Sequence, residues 1–191
     1  HIGNVMAQMY AERSPIIAAE LAHHYFAADD LEHALLFMIE AGNQAWRSLA
    51  IADAARYYTR AEHIIEKLGS APLDGDAPVM QMAVLGLHVN SEKLAEFHLN
   101  YGLLCIQQGQ AEKARLELEQ ALGFAKQLKS EMLLGRALTA KAELSQVLGD
   151  YAAGQEVTRE ALDLLGRVGD TLGEIKALMV MGDFLDHYGR Y

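Results

Sequence analysis

The sequence predicts an all-α chain, a solenoid built from antiparallel helix pairs. Three observations point there. Ala and Leu supply 58 of 191 residues and Pro only three, a composition that favours helix and argues against disorder and against a β-sandwich. Apolar residues recur at steps of three and four along most of the chain, which is the helical period. Residues also recur at a step of 40: Gly109, Gly149 and Gly189, with Leu104, Leu144 and Phe184, with Gly102, Ala142 and Gly182, and with Ala121 and Ala161. One such coincidence could arise by chance. A set in a single phase marks a duplicated helix pair.

The elements follow in order. Ser14-Pro15 is a helix start, a capping hydroxyl followed by proline at the first helical position, and the helix runs to about Ala28. Asp29 and Asp30 break and recap the chain. A helix from about Leu31 to Leu49 contains Leu35, Met38, Gly42, Ala45 and Trp46; another from about Ala52 to Leu68 turns Ala54, Tyr58, Ala61, Ile64 and Ile65 inward. These make an N-terminal helical segment, residues 1–68. Residues 69–90 read as a loop and irregular helical connector, because two prolines and Gly69, Gly75, Gly86 and Asn90 interrupt it.

Residues 91–191 carry the repeats, at 91–128, 130–168 and an incomplete 170–191. Ser91 with Glu92 starts the first helix and Gly109 stops it in the left-handed conformation. Residues 111–128 carry Ala114, Leu118, Ala121, Leu122 and Ala125 on one face. Ser130 opens the next helix, Asp150 the one after, and Thr171 with Glu174 forms a capping box for the last.

With 16 Lys+Arg against 26 Asp+Glu, the net charge is −10. That balance excludes a nucleic-acid backbone or an anionic membrane surface as the primary partner. The single cysteine, Cys105, has no internal disulfide partner, so a reducing, cytoplasmic setting is expected. No apolar run reaches the roughly 20 residues that span a bilayer. The chain begins His1-Ile2-Gly3-Asn4 without a signal-peptide pattern, and is expected to be a portion of a larger protein.

Searching for chemistry gives little. There is no GxxxxGK[ST], GxGxxG or GxSxG run, so no enzyme activity, cofactor or catalytic residue is expected. His23, His24 and His33 invite a metal reading, but adjacent helical histidines point about 100° apart, so capping and surface roles are expected. His98 and Cys105 share a helical face, yet seven residues span about 10 Å, too far for a nucleophile pair. Asp183, Asp186 and His187 are expected to be solvated. Met80, Met82, Met132, Met179 and Met181 are core filler or an adaptable apolar surface.

The residues resemble the tetratricopeptide repeat, a right-handed superhelix of helix–turn–helix units. Residues 95–128 match its pattern with Gly102, Gly109, Ala114, Leu118 and Ala121, although Cys105 stands where an aromatic is usual. Residues 15–41 match with Ala22, Tyr25, Ala34, Met38 and Ala41, and 135–168 more loosely with Ala142, Ser145, Gly149, Gly154, Thr158 and Ala161. A period of about 40 rather than 34 implies longer helices. The runs Ala18 to Tyr25, Asp30 to Ala34 and Glu40 to Ala45 are also similar to the segment that follows the nucleotide-binding module in bacterial STAND-class signalling ATPases. Those are fused to adenylate cyclase, kinase or LuxR-type domains.

The resemblance implies a non-catalytic protein-interaction or sensor domain with a protein or peptide ligand and a flanking ATPase domain. A passive assembly scaffold and a small-molecule inducer domain are the alternatives. It also implies a binding groove along the first helix of each pair: Glu96, Asn100, Leu103 and Gln107; Arg136, Ala140, Glu143 and Val147; Lys176, Val180, Asp183 and His187, with Glu20, His23 and Ala27 at the N-terminal pair. Asn100 and Arg136 match two places of the clamp by which one sub-family holds a C-terminal carboxylate; Ala140 departs from it.

Overall fold

The computed structural model describes residues 15–69 and 91–189. They form eight α-helices and no strand among the described residues: α1 Pro15–Ala27, α2 Leu31–Arg47, α3 Ile51–Gly69, α4 Ser91–Gln107, α5 Ala111–Gln127, α6 Glu131–Leu148, α7 Tyr151–Val168 and α8 Thr171–Gly189. The chain divides into two compact units, His1–Phe97 and His98–Tyr191, and the division falls within α4. Ser14, Met80, Met82 and the 70–90 part of the expected connector lie outside the described residues.

One turn design recurs. Asp29, Leu49, Gly109, Lys129, Gly149 and Gly169 take positive φ, between 51° and 79°. The residue after each donates its backbone N–H to the carbonyl five positions back: Asp30 to Tyr25, Ala50 to Ala45, Gln110 to Cys105, Ser130 to Ala125, Asp150 to Ser145 and Asp170 to Leu165. This closes the helix in a Schellman motif. The same residue then begins the next helix. The side chains of Asp30, Ser130, Asp150 and Asp170 accept the backbone N–H of His33, Leu133, Ala153 and Gly173 at 3.2–3.3 Å. A connection of two or three residues turns successive helices back on each other, which gives antiparallel pairs.

Two expected boundaries shift. The α2 helix stops at Arg47, because left-handed Leu49 closes it. The cap of α8 is Asp170, one residue before the expected Thr171–Glu174 box, because the Asp170 carboxylate reaches the Gly173 N–H and its carbonyl accepts from Glu174.

In the first unit α2 packs against both α1 and α3. Its centre is Tyr58, fully buried, whose Oη donates to Asn43 Oδ1 at 2.8 Å. The Tyr58 ring lies across Gly42, where any Cβ would collide with it. Phe97 meets Tyr58 edge-on at 5.5 Å between centroids. The small residue of α2 therefore exists to admit the large one of α3.

The second unit uses the same device three times. A Cβ on Gly102 would stand 2.7 Å from Leu118 Cδ2, and one on Gly135 would stand 2.7 Å from Leu165 Cγ. One on Gly154 would run into the Phe184 ring. Gly154 is thus a close-approach site, and mid-helix glycine here is a packing requirement rather than a propensity defect. Ala161, Leu164, Leu165, Leu138 and Ala177 form one buried cluster, and Ala142, Val180 and Phe184 another. Ala22, Ala34, Ala114 and Ala121 are likewise buried, and Tyr25 is half-buried. Gly109 and Gly149 are left-handed helix stops, and Gly189 is the last residue of α8. Gly182 departs from its expected role: it is exposed, and a Cβ there would meet nothing. Its counterpart Gly102 is covered by Leu118 of the following helix, and no helix follows α8 among the described residues.

Candidate functional site

The groove residues sort into three kinds. Leu103, Ala140 and Val180 are buried at 8%, 1% and 5% exposure and belong to the core, not to a binding surface. Arg136, Glu143 and Lys176 are committed to one another's helices. Glu96 in the first unit and Asn100 in the second are half-buried, while Gln107, Val147 and Asp183 are exposed. At the N-terminal pair, Glu20, His23 and Ala27 are exposed.

Arg136 of α6 grips Asp170 with two bonds, Nε to Oδ2 at 2.6 Å and Nη2 to Oδ1 at 3.0 Å. This is the forked geometry that makes arginine–carboxylate pairs strong. The hydrogen bond from Arg136 holds the Asp170 carboxyl below the usual carboxylate range, against the opposing effect of its burial. With its guanidinium fastening the α7–α8 turn, Arg136 does not stand ready for a carboxylate clamp. One helix turn beyond Thr139, Glu143 Oε1 lies 3.0 Å from Lys176 Nζ, a second tie from α6 to α8.

The histidines resolve in the same structural direction. His33 Nδ1 lies 2.9 Å from both Asp30 carboxylate oxygens, and its ring stacks on Tyr25. His23 and His24 are exposed. No group of three metal-ligating side chains occurs among the described residues. His98 Nδ1 lies 2.7 Å from Glu117 Oε2 of α5, and its ring stacks on Phe124 at 5.7 Å. Both members of that pair are buried, as is Cys105. The sequence shows no signal for this partnership, since 19 residues separate the two. His187 stacks on Tyr151 at 3.7 Å, and Asp186 is exposed like Asp183. Trp46 is half-buried.

Among the described residues the largest concentration of exposed apolar side chains lies on α8. Leu172, Ile175, Leu178, Met179 and Leu185 are each at least half exposed, Leu172 at 78% and Met179 at 67%. Leu172, Ile175, Met179 and Gly182 follow the three- and four-residue steps of one helical stripe. Forty residues earlier, the counterparts on α6 of Ile175, Leu178, Met179 and Gly182 are Gly135, Leu138, Thr139 and Ala142. All four are buried, and α7 supplies the cover, Leu165 crossing Gly135. The α8 stripe occupies the equivalent positions one repeat later. No helix among the described residues is long and apolar enough to cross a membrane.

No protein-family model matches the chain, and comparison with curated proteins returns no match.

Proposed function

We propose that the chain is a non-catalytic, tetratricopeptide-like interaction domain that regulates a larger bacterial signalling ATPase or transcriptional regulator. Its docking surface is the outer stripe of α8. The occupant is an amphipathic helix lying antiparallel to α8, with a large apolar side chain seated over Gly182 as Leu118 is seated over Gly102. The observation that carries this reading is the row of exposed apolar side chains, Leu172, Ile175 and Met179, on one stripe of α8. Contiguous exposed apolar patches of this kind mark interaction surfaces.

The mechanism is a coupling between that surface and the rest of the protein. The α8 helix is tied to α6 through Arg136–Asp170 and Glu143–Lys176. A helix arriving on α8 therefore biases how α6, α7 and α8 sit together. Passed to an adjacent nucleotide-binding module, such a bias is typically about 1–3 kcal/mol, or about 5–150-fold in an equilibrium.

The test uses the complete gene product. Leu172→Asp with Met179→Asp should change its nucleotide turnover or partner response by at least about fivefold, while the 191-residue chain alone keeps its melting temperature. Unchanged turnover and unchanged partner binding would remove the α8 surface from the account. A gene product without an ATPase module would end the signalling-ATPase assignment.

A further inference from the structure

An opening lies in the first unit between α1 and α3, above α2, with a volume of about 250 Å³. Its floor is apolar: Ala22 and Phe26 from α1, Met38 from α2 and Ile64 from α3. Its remaining lining is His23 of α1 with Arg60 and His63 of α3. Among the described residues no carboxylate lines it, although acidic residues outnumber basic ones by 26 to 16 in the chain. Lys67 adds a further cation beside it, its Nζ 4.4 Å from the centre of the Phe26 ring.

His63 has an acid beside it, Glu66, whose Oε2 stands 3.6 Å from His63 Nδ1, both side chains being exposed. Arg60 is exposed and makes no ion pair among the described residues. Its neighbour one turn earlier, Arg56, is by contrast held by Asp53 at 2.8 Å. A guanidinium offers five donors in a fixed fork suited to carboxylate or phosphate. It does so here at the mouth of a pocket whose floor can take only hydrocarbon.

We propose that this pocket binds a small amphiphilic anion: a short aliphatic or single-ring body carrying one carboxylate or phosphate group. The body rests on Phe26, Met38 and Ile64, and the head group is held by Arg60 with His23 and His63. The volume falls just below the roughly 300–1,000 Å³ of sites for drug-sized ligands, which limits the occupant to a small molecule. The neutral analogue gives up the charge-assisted bonds, and inorganic phosphate gives up the apolar contact. Neither part alone is sufficient. The proposal rests on the first unit alone and does not depend on the α8 surface.

The experiment titrates the full chain with octanoate, octyl phosphate, octanol, octylamine and inorganic phosphate, by calorimetry and by methyl NMR of Met38. Octanoate or octyl phosphate should bind saturably and shift the Met38 methyl resonance. Octanol, octylamine and inorganic phosphate should each be weaker by about tenfold or more. Arg60→Gln, a surface change, should weaken octanoate about tenfold with no change in melting temperature. Leu172→Asp with Met179→Asp should leave octanoate binding intact, which separates this site from the α8 reading. No saturation by either anion up to the order of 10 mM, equal binding of octylamine, or full binding by Arg60→Gln would overturn the proposal. Attachment to anionic lipid vesicles without saturable octanoate binding would overturn it equally.

Discussion

Arg136 and Asp170, 34 residues apart, are joined by two hydrogen bonds, and the same Asp170 carboxylate caps α8 through the Gly173 N–H. One side chain thus fixes both the start of α8 and its distance from α6. Asp170→Ala should cost about 1–3 kcal/mol, a lost cap plus a lost charge-assisted pair. The pH dependence has a definite sign. The Asp170 pKa is lowered in the folded state, so its contribution is complete above the unfolded carboxylate value of about 3.9. It is lost as pH falls through the lower folded value. Asp170→Asn should flatten that acid limb in denaturant titrations taken between about pH 2 and 6. Arg115 also lowers a carboxyl, that of Glu112, but both side chains are exposed on α5. Arg115→Ala should leave the melting temperature unchanged.

Gly154→Ala tests packing against propensity. In an exposed helix the change would stabilise by up to about 1 kcal/mol. Here the new methyl meets the Phe184 ring, and the variant should instead lose about 1–3 kcal/mol. Adding Phe184→Leu should recover part of that loss, because a smaller side chain frees the space. Gly102→Leu should lose a similar amount against Leu118. Thermal unfolding of the single and double variants checks all three, and a more stable Gly154→Ala would refute the close approach.

The His98–Glu117 pair should show the asymmetry of buried polar partners. Either His98→Leu or Glu117→Met alone leaves the other group buried and should cost about 3 kcal/mol. The double variant His98→Leu with Glu117→Met should be less destabilised than the sum, and close to the wild-type value. A four-corner denaturation cycle gives the coupling, and strict additivity would contradict a direct bond.

Leu49 and Lys129 hold left-handed backbone that non-glycine residues adopt at a cost. Both side chains are exposed, Leu49 at 80%. Leu49→Gly and Lys129→Gly should therefore each stabilise by about 0.5–1 kcal/mol, after the greater freedom of glycine in the unfolded chain is subtracted. A loss of stability in both would show that these turns are not under strain.

Cys105 is fully buried in α4. A thiol reagent should react with it only through opening of the surrounding helices. The labelling rate should rise in step with denaturant, and rapid modification of the native chain would place Cys105 at the surface.

The helix class was legible because composition and period are local properties. The 40-residue step was legible too, but it is twice the underlying one. Left-handed turns stand at 29, 49, 109, 129, 149 and 169, a step of 20. Only three of the six are glycine; Asp29, Leu49 and Lys129 occupy the others, so a search by glycine finds half of these turns. Among the groove residues, the sequence pattern assigns Arg136, Glu143 and Lys176 to the groove without their partners. Helical register says which way a side chain leaves its own helix and nothing of what another helix brings to meet it.

From its own letters the chain determined where helices start, where they turn back and that they repeat, because capping, chirality and hydrophobic period act over a few residues. Only the tertiary structure decided which glycines are close-packed, and that His98 belongs to Glu117 and Arg136 to Asp170. Each of those depends on separate helices meeting at distances of a few ångströms, and the energy of such a meeting is carried by neither helix alone.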